Sequence, residues 1–262
     1  LTAGRNTTIT TGSLQGGSAG VLGAGIQSDG LLGSAGELVV TASGALAAHG
    51  THLAAGNAAL QGASVDLSAG QTSAANIAIT ATQGDVTTSQ GTVVTPGTLS
   101  ITANSNAAQT LVNDAGRLHA NQLDLQLSNL ANTHGGEIVQ TGTGATTIAT
   151  TGTLNNDGGR IASNGQDLTL QAANITNAAG RIEHAGTGTL TIAGGSYSGT
   201  SGQITTNGAL AVAMGGAFDQ DGATASISAK HITLDAGSLG NRAGAQIVQT
   251  GTDATRITVV GA

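Results

Sequence analysis

From Leu111 onward, short apolar patches return at a fixed phase, separated by Gly, Asn, Asp and Ser. Gly116, Gly136, Gly159, Gly180, Gly202, Gly222 and Gly244 mark that phase at intervals of roughly 20–23 residues. One apolar column precedes these glycines: Leu111, Leu130, Leu154, Ile175, Tyr197, Phe218 and Leu239. A second follows them: Leu118, Ile138, Ile161, Ile182, Ile204 and, after a blurred coil near Ala225, Ile247. A third consists of alternating pairs: Leu123/Leu125, Leu168/Leu170, Leu190/Ile192, Leu210/Val212, Ile232/Leu234 and Ile257/Val259.

Three patches per repeat, each closed by turn-forming residues, predict three short strands joined by turns. No segment shows the spacing of an amphipathic helix. Such a repeat, of about 21 residues, predicts a parallel β-helix, because one coil cannot bury its apolar side until others stack on it at about 4.8 Å. Equivalent residues then become aliphatic ladders. Asn113, Asn156, Asn177 and Asn241 lie three residues before a phase-marking glycine, and Asp219 fills that slot once. Asn and Asp suit the left-handed backbone of a turn and can bond along the stack, a structural use.

The stretch 1–110 is less regular. LVV at 38–40, VDL at 65–67, IAI at 77–79 and LSI at 99–101 look like one equivalent strand, and GGSAGVLGAG near residue 20 like a looser coil or an insertion. The expected organisation is one continuous solenoid of about a dozen coils, less regular over 1–110 and regular over 111–262.

Composition narrows what such a fold could do. One Tyr, one Phe, no Trp and 43 Gly leave Leu, Ile, Val and Ala to fill the interior. With 8% charged residues, 39% hydrophobic residues and one Pro, the chain is not of the disordered class. A formal charge of −7 without a basic cluster argues against nucleic acid or an anionic membrane surface as partner. Cys is absent, so neither a disulfide framework nor a thiolate metal site is available. No apolar run is long enough for a membrane span, and no signal peptide is expected in this stretch. Beginning at Leu1 without a Met, the chain is expected to be a piece of something longer.

Candidate chemistry is sparse. Tyr197 and Phe218 share the column of Leu154 and Ile175, so they are expected to stack inward and not to serve as a sugar platform. Asp219 and Asp221 lie close together without a cationic neighbour in sequence. Asp157 with Arg160, and Arg181 with Glu183, read as surface charges. Glu137 is expected to lie between Arg117 and Arg160 on adjacent coils, a pairing worth about 0–1 kcal/mol. His49 and His52 are a close pair without an acid or Cys at ligand spacing, His134, His184 and His231 fall in turns or strand ends, and the six histidines are expected to be solvated. Thr169, Thr191, Thr233 and Thr258 share an outward slot interrupted by Ala211 and Asp124, too irregular for an ice-binding rank. Catalytic, cofactor and metal residues are therefore expected to be none.

NNDGGRIASNGQDLTLQAANITNAAGRIEHAGTGTLTIAGG, from Asn155, resembles the haemagglutinin repeats of bacterial filamentous haemagglutinins and contact-dependent inhibition toxins, which are large exoproteins of two-partner secretion. The pattern Asn-x-x-Gly-charged-Ile followed by Leu-Thr-Leu covers 111–262 well and 1–110 loosely. The resemblance implies a right-handed parallel β-helix displayed on a Gram-negative surface and exported through an outer-membrane transporter. The family's Asn-Pro-Asn-Gly secretion motif and Val-Glu-Asn-Asn boundary motif are missing, so no functional residue carries over. The expected role is a non-enzymatic, monomeric shaft of a surface-displayed adhesin, with a host receptor or glycan as a partner of the full-length protein. A glycan- or receptor-binding section within 1–110, the stalk of a contact-dependent inhibition toxin, and a β-helical polysaccharide-degrading enzyme are the alternatives.

Overall fold

The computed structural model describes residues 1–33 and 35–261. Among them are 31 strands and no helix, and the strands pair in parallel, coil upon coil. The chain divides into two compact units, Leu1–Asn129 and Leu130–Ala262.

In the second unit each coil has three sides, and each side contributes one aliphatic row to the interior. Leu130, Leu154, Ile175, Tyr197, Phe218 and Leu239 are strand partners in succession. Ile138, Ile161, Ile182, Ile204, Ile227 and Ile247 form the second row. Ile148, Leu170, Ile192, Val212, Leu234 and Ile257 form the third. Burial alternates along each strand, as in Ala209–Met214, because successive side chains point to opposite faces. Removing each Leu or Ile side chain from water contributes about 1.5–3 kcal/mol.

The structure departs from the sequence pattern at two points of this unit. Ile227 restores the second row in the coil that is blurred near Ala225. Ile257 and Val259 pair with Leu234 and Ala236, not with Ile232 and Leu234, so the last pair is out of step with its predecessors. The reason is the longer turn between Gln246–Gln249 and Arg256–Val259, where the previous coil passes from Ala229 to His231 almost directly.

The turn before the second row gives the repeat its phase. The Gly159 and Gly180 amides donate to the Asn156 and Asn177 carbonyls at 3.1 and 3.2 Å. The residue just before the second of these glycines takes a left-handed backbone, φ 52° at Ala179. The next position has to be glycine for a different reason. A Cβ on Gly180 would run into the Asn156 carbonyl oxygen and lie 3.0 Å from the Asn156 side-chain nitrogen.

The first unit is also built of three rows: Leu14–Leu46–Val65–Val86–Leu111, Leu22–His52–Thr72–Val93–Leu118 and Leu38–Ala58–Ile77–Leu99–Leu123. Val65 therefore does not share a row with Leu38, Ile77 and Leu99. The equivalent strand is Asn57–Gly62, whose inward Ala58 is too small to stand out in a pattern of large apolar residues. Leu38, Ala58 and Ile77 follow one another as strand partners, one coil apart each time. The segment near residue 20 is an ordinary coil, with Val21–Ala24 in register with Thr51–Ala54. The insertion lies after it. Thr7 and Leu38 are partners across a step half as long again as the others, and within that step a small antiparallel excursion pairs Ile26 with Leu32.

Candidate functional site

Polar side chains line the inside of the coils at two corners of the second unit, and at both they serve the backbone. At the first corner Asn132, Asn156 and Asn177 are fully buried and stacked. The Asn132 amide donates to Asn156 Oδ1 and the Asn156 amide to Asn177 Oδ1, each at 2.7 Å. The same Asn156 nitrogen reaches the Arg181 carbonyl of the next coil at 3.1 Å. Asn177 Nδ2 then donates to the Tyr197 hydroxyl at 3.3 Å, because the next slot in the ladder is Gly199. Burial pushes the Tyr197 phenol above its ordinary pKa. Asn132 belongs to this ladder although it stands one place too early for the spacing rule. In the coil of Gly222 the slot belongs to buried Gln220, which partners Asn241, and not to Asp219, which points outward.

At the next corner the inward row is Gln140, Ser163, His184 and Thr206. Gln140 Nε2 donates to the Gly144 carbonyl, and the Ser163 and Thr206 hydroxyls accept from the Gly165 and Gly208 amides at 2.9 and 3.1 Å. His184 lies 2.9 Å from both the Gly165 carbonyl, through Nε2, and the Thr206 hydroxyl, through Nδ1. It is buried, as is His52 in the first unit, so the expectation of solvated histidine fails for both. His134 is exposed and His231 half-buried. The signal for His184 is present in the sequence. It follows Ile182 at the same distance at which Ser163 follows Ile161, and so faces inward.

Charged groups lie on the outer face of the coils. Glu137, Arg160, Arg181 and Gln203 stand in register as the spacing requires. The ion pair that Arg160 makes is with Glu183 of the following coil, at 2.6 Å. Asp157 accepts the Ala178 amide at 2.7 Å, which gives it a turn-holding role. Asp219 has a cationic neighbour from the next coil, Arg242 at 3.3 Å. His49 pairs with Asp66 at 3.2 Å. Burial alone would raise the Asp66 pKa, but bonds from the Ser68 hydroxyl and amide and from His49 hold it below its ordinary value. Ser68 donates to Asp66 and not to His49, so this trio lacks the base-to-nucleophile contact of a hydrolytic triad. Among the described residues no three His, Asp or Glu come together as a metal site.

The outward slot of the third side contains Thr147, Thr169, Thr191, Ala211, Thr233 and Arg256. Thr258 partners Asp235 and is not in it. Among the described residues, cavities are small or shallow, such as one of about 250 Å³ in the first unit lined by Leu14, Leu22, Ala48 and His52. Among the described residues no helix is long and apolar enough to cross a membrane.

Over 115 residues the chain is 51% identical to a protein named Toxin CdiA from Yersinia pestis, a match covering 44% of this chain and 4% of that protein. Over 102 residues it is 47% identical to tRNA nuclease CdiA-2 of Burkholderia pseudomallei strain 1026b, covering 38% of this chain and 3% of that protein. The resemblance to contact-dependent inhibition exoproteins that the repeats carry is thus matched by extended identity, within a solenoid fold. The matches span only a few per cent of the length of these relatives. No protein-family model matches the chain. No solved structure matches it either.

Proposed function

We propose that the chain is a shaft section of a large exoprotein of the two-partner type, exported through an outer-membrane transporter and displayed on the bacterial surface. The observation that carries this reading is the use of polar side chains: inward Asn156 and His184 bond to the backbone of neighbouring coils, and among the described residues no three His, Asp or Glu come together. What repeats in this chain is therefore the means of stacking. The identity to two CdiA proteins favours the stalk of a contact-dependent inhibition protein over an adhesin of the haemagglutinin type. In this role the section is not an enzyme and acts as a monomer. It carries distant regions away from the cell, and any receptor or glycan contact belongs to the full-length protein.

The test uses the parent protein. Arg160 and Arg181 are partners on successive coils, so deletion of 160–180 removes one whole coil and joins Gly159 to Arg181 in phase. A shaft tolerates that deletion, and replacement of the outward Thr169 and Thr191 by Ser, with export and cell-contact activity retained. Loss of target-cell binding on the threonine replacements, with export intact, would identify a binding section instead.

A further inference from the structure

His52 fills an inward position that Leu22, Val93 and Leu118 take on other coils of the first unit. It is 1% exposed, and its Nδ1 lies 2.9 Å from the Thr72 hydroxyl on the next coil. Its ring lines the cavity of about 250 Å³ with Leu14, Leu22 and Ala48. The strands around it, Leu14–Gly16, Val21–Ala24, Leu46–Ala48 and Gln71–Ser73, contain no titratable side chain. The nearest carboxylate in the sequence, Asp66, is on the outer surface with His49. Among the described residues no anion faces the ring.

We propose that His52 makes the first unit acid-labile: an imidazolium cannot be accommodated in the stacked row, so a fall in pH opens the coils that carry Val21–Ala24, Thr51–Ala54 and Gln71–Ser73. Desolvation pushes the folded pKa down to about 4, from 6.5 in an open chain. Between these values the opened chain takes up a proton that the folded row refuses. Stability is therefore complete above about pH 6.5 and is lost as the pH falls toward 4. At pH 5 the opening equilibrium is about twentyfold larger than at pH 7.

Hydrogen exchange read by mass spectrometry on the intact chain tests this, with rates corrected for intrinsic exchange. Protection of the three strands should fall about twentyfold from pH 7 to pH 5. His52→Leu restores the residue found at Leu22 and Leu118, and His52→Gln keeps a neutral partner for Thr72. Both should give equal protection at the two pH values, and either alone suffices if the other fails to fold. Wild-type protection that does not change with pH overturns the proposal, as does a wild-type-sized loss in a folded variant.

Discussion

Tyr197 and Phe218 lie ring on ring inside the second unit, centroids 4.6 Å apart and planes 15° from parallel. They are direct strand partners in a row that is otherwise Leu and Ile. Their separation is the coil spacing itself, so the stack needs no distortion of either strand. Phe218→Ala should cost about 3–5 kcal/mol through the cavity it leaves, whereas Phe218→Leu should cost under about 1.5 kcal/mol, since Leu239 already fills the next position. Urea denaturation followed by circular dichroism distinguishes the two.

The asparagine ladder predicts a second contrast. Asn156→Ala removes the acceptor of Asn132 and the donor to Asn177 and Arg181, all in a fully buried corner. Orphaning these groups should cost about 2–4 kcal/mol. Asn156→Asp should be worse at neutral pH, since it buries a carboxylate without a cation. Its deficit should shrink as the pH falls and the acid becomes a neutral donor. Stability curves at pH 7 and pH 4 should then converge toward those of the parent only for Asp.

The turn before the second row separates two requirements that look alike in sequence. Ala179 has φ 52° with a Cβ the turn does not need, so Ala179→Gly should be neutral or stabilising by up to about 1 kcal/mol. Gly180→Ala should destabilise by several times that amount, because its Cβ meets the Asn156 carbonyl. Thermal melts of the two variants should move in opposite directions or, at the least, by very different amounts.

The parts of this fold that can be read from sequence are those built of large aliphatic residues. Leu154, Ile175 and Ile182 announce their rows, and with them the phase of the turns and the inward direction of Tyr197 and Phe218. Where the same inward position is filled by Ala58, His52 or Thr72, the pattern goes silent although the strand is there. The first unit therefore reads as irregular well beyond its one true insertion, which lies between Ala24 and Leu38. Polar interior residues escape for a related reason. Chemistry alone sends a histidine or glutamine to the surface, while the fold places it by its phase, and for Gln140 and His184 nearby backbone carbonyls supply partners that allow burial. Ion pairs are least legible, because Arg160 reaches Glu183 across the stack and not the residue beside it in sequence.

That pair yields a small prediction. Arg160 and Glu183 are each 36% exposed at the side chain and meet at 2.6 Å, with a second bond at 2.8 Å. A half-exposed bridge of this kind contributes little, so Arg160→Ala should lower stability by under about 1 kcal/mol, and less in high salt. Urea midpoints at low and high salt measure both. A larger loss would mean that Arg160 fixes the register of its coil.

The break in the asparagine ladder is the most specific prediction. Gly199 stands where Asn177 and Gln220 stand on neighbouring coils, and the Tyr197 hydroxyl fills the space its missing side chain leaves. A Cβ there would strike that hydroxyl and lie 2.7 Å from Gln220 Oε1. Gln220 is buried with neither amide atom bonded, as a ladder missing one rung would leave it. Gly199→Asn alone should therefore cost about 2–4 kcal/mol by clash. Tyr197→Leu removes the obstacle, and Leu already occupies the row at Leu154 and Leu239. In the double variant the introduced asparagine can bond to both Asn177 and Gln220 and continue the ladder. The two substitutions should then be non-additive, with a coupling of about 1–3 kcal/mol in favour of the pair, read from the urea stabilities of the four chains. Purely additive costs would show that Gly199 answers to its own turn, whose carbonyl receives the Gly202 amide at 3.0 Å, and not to the tyrosine beside it.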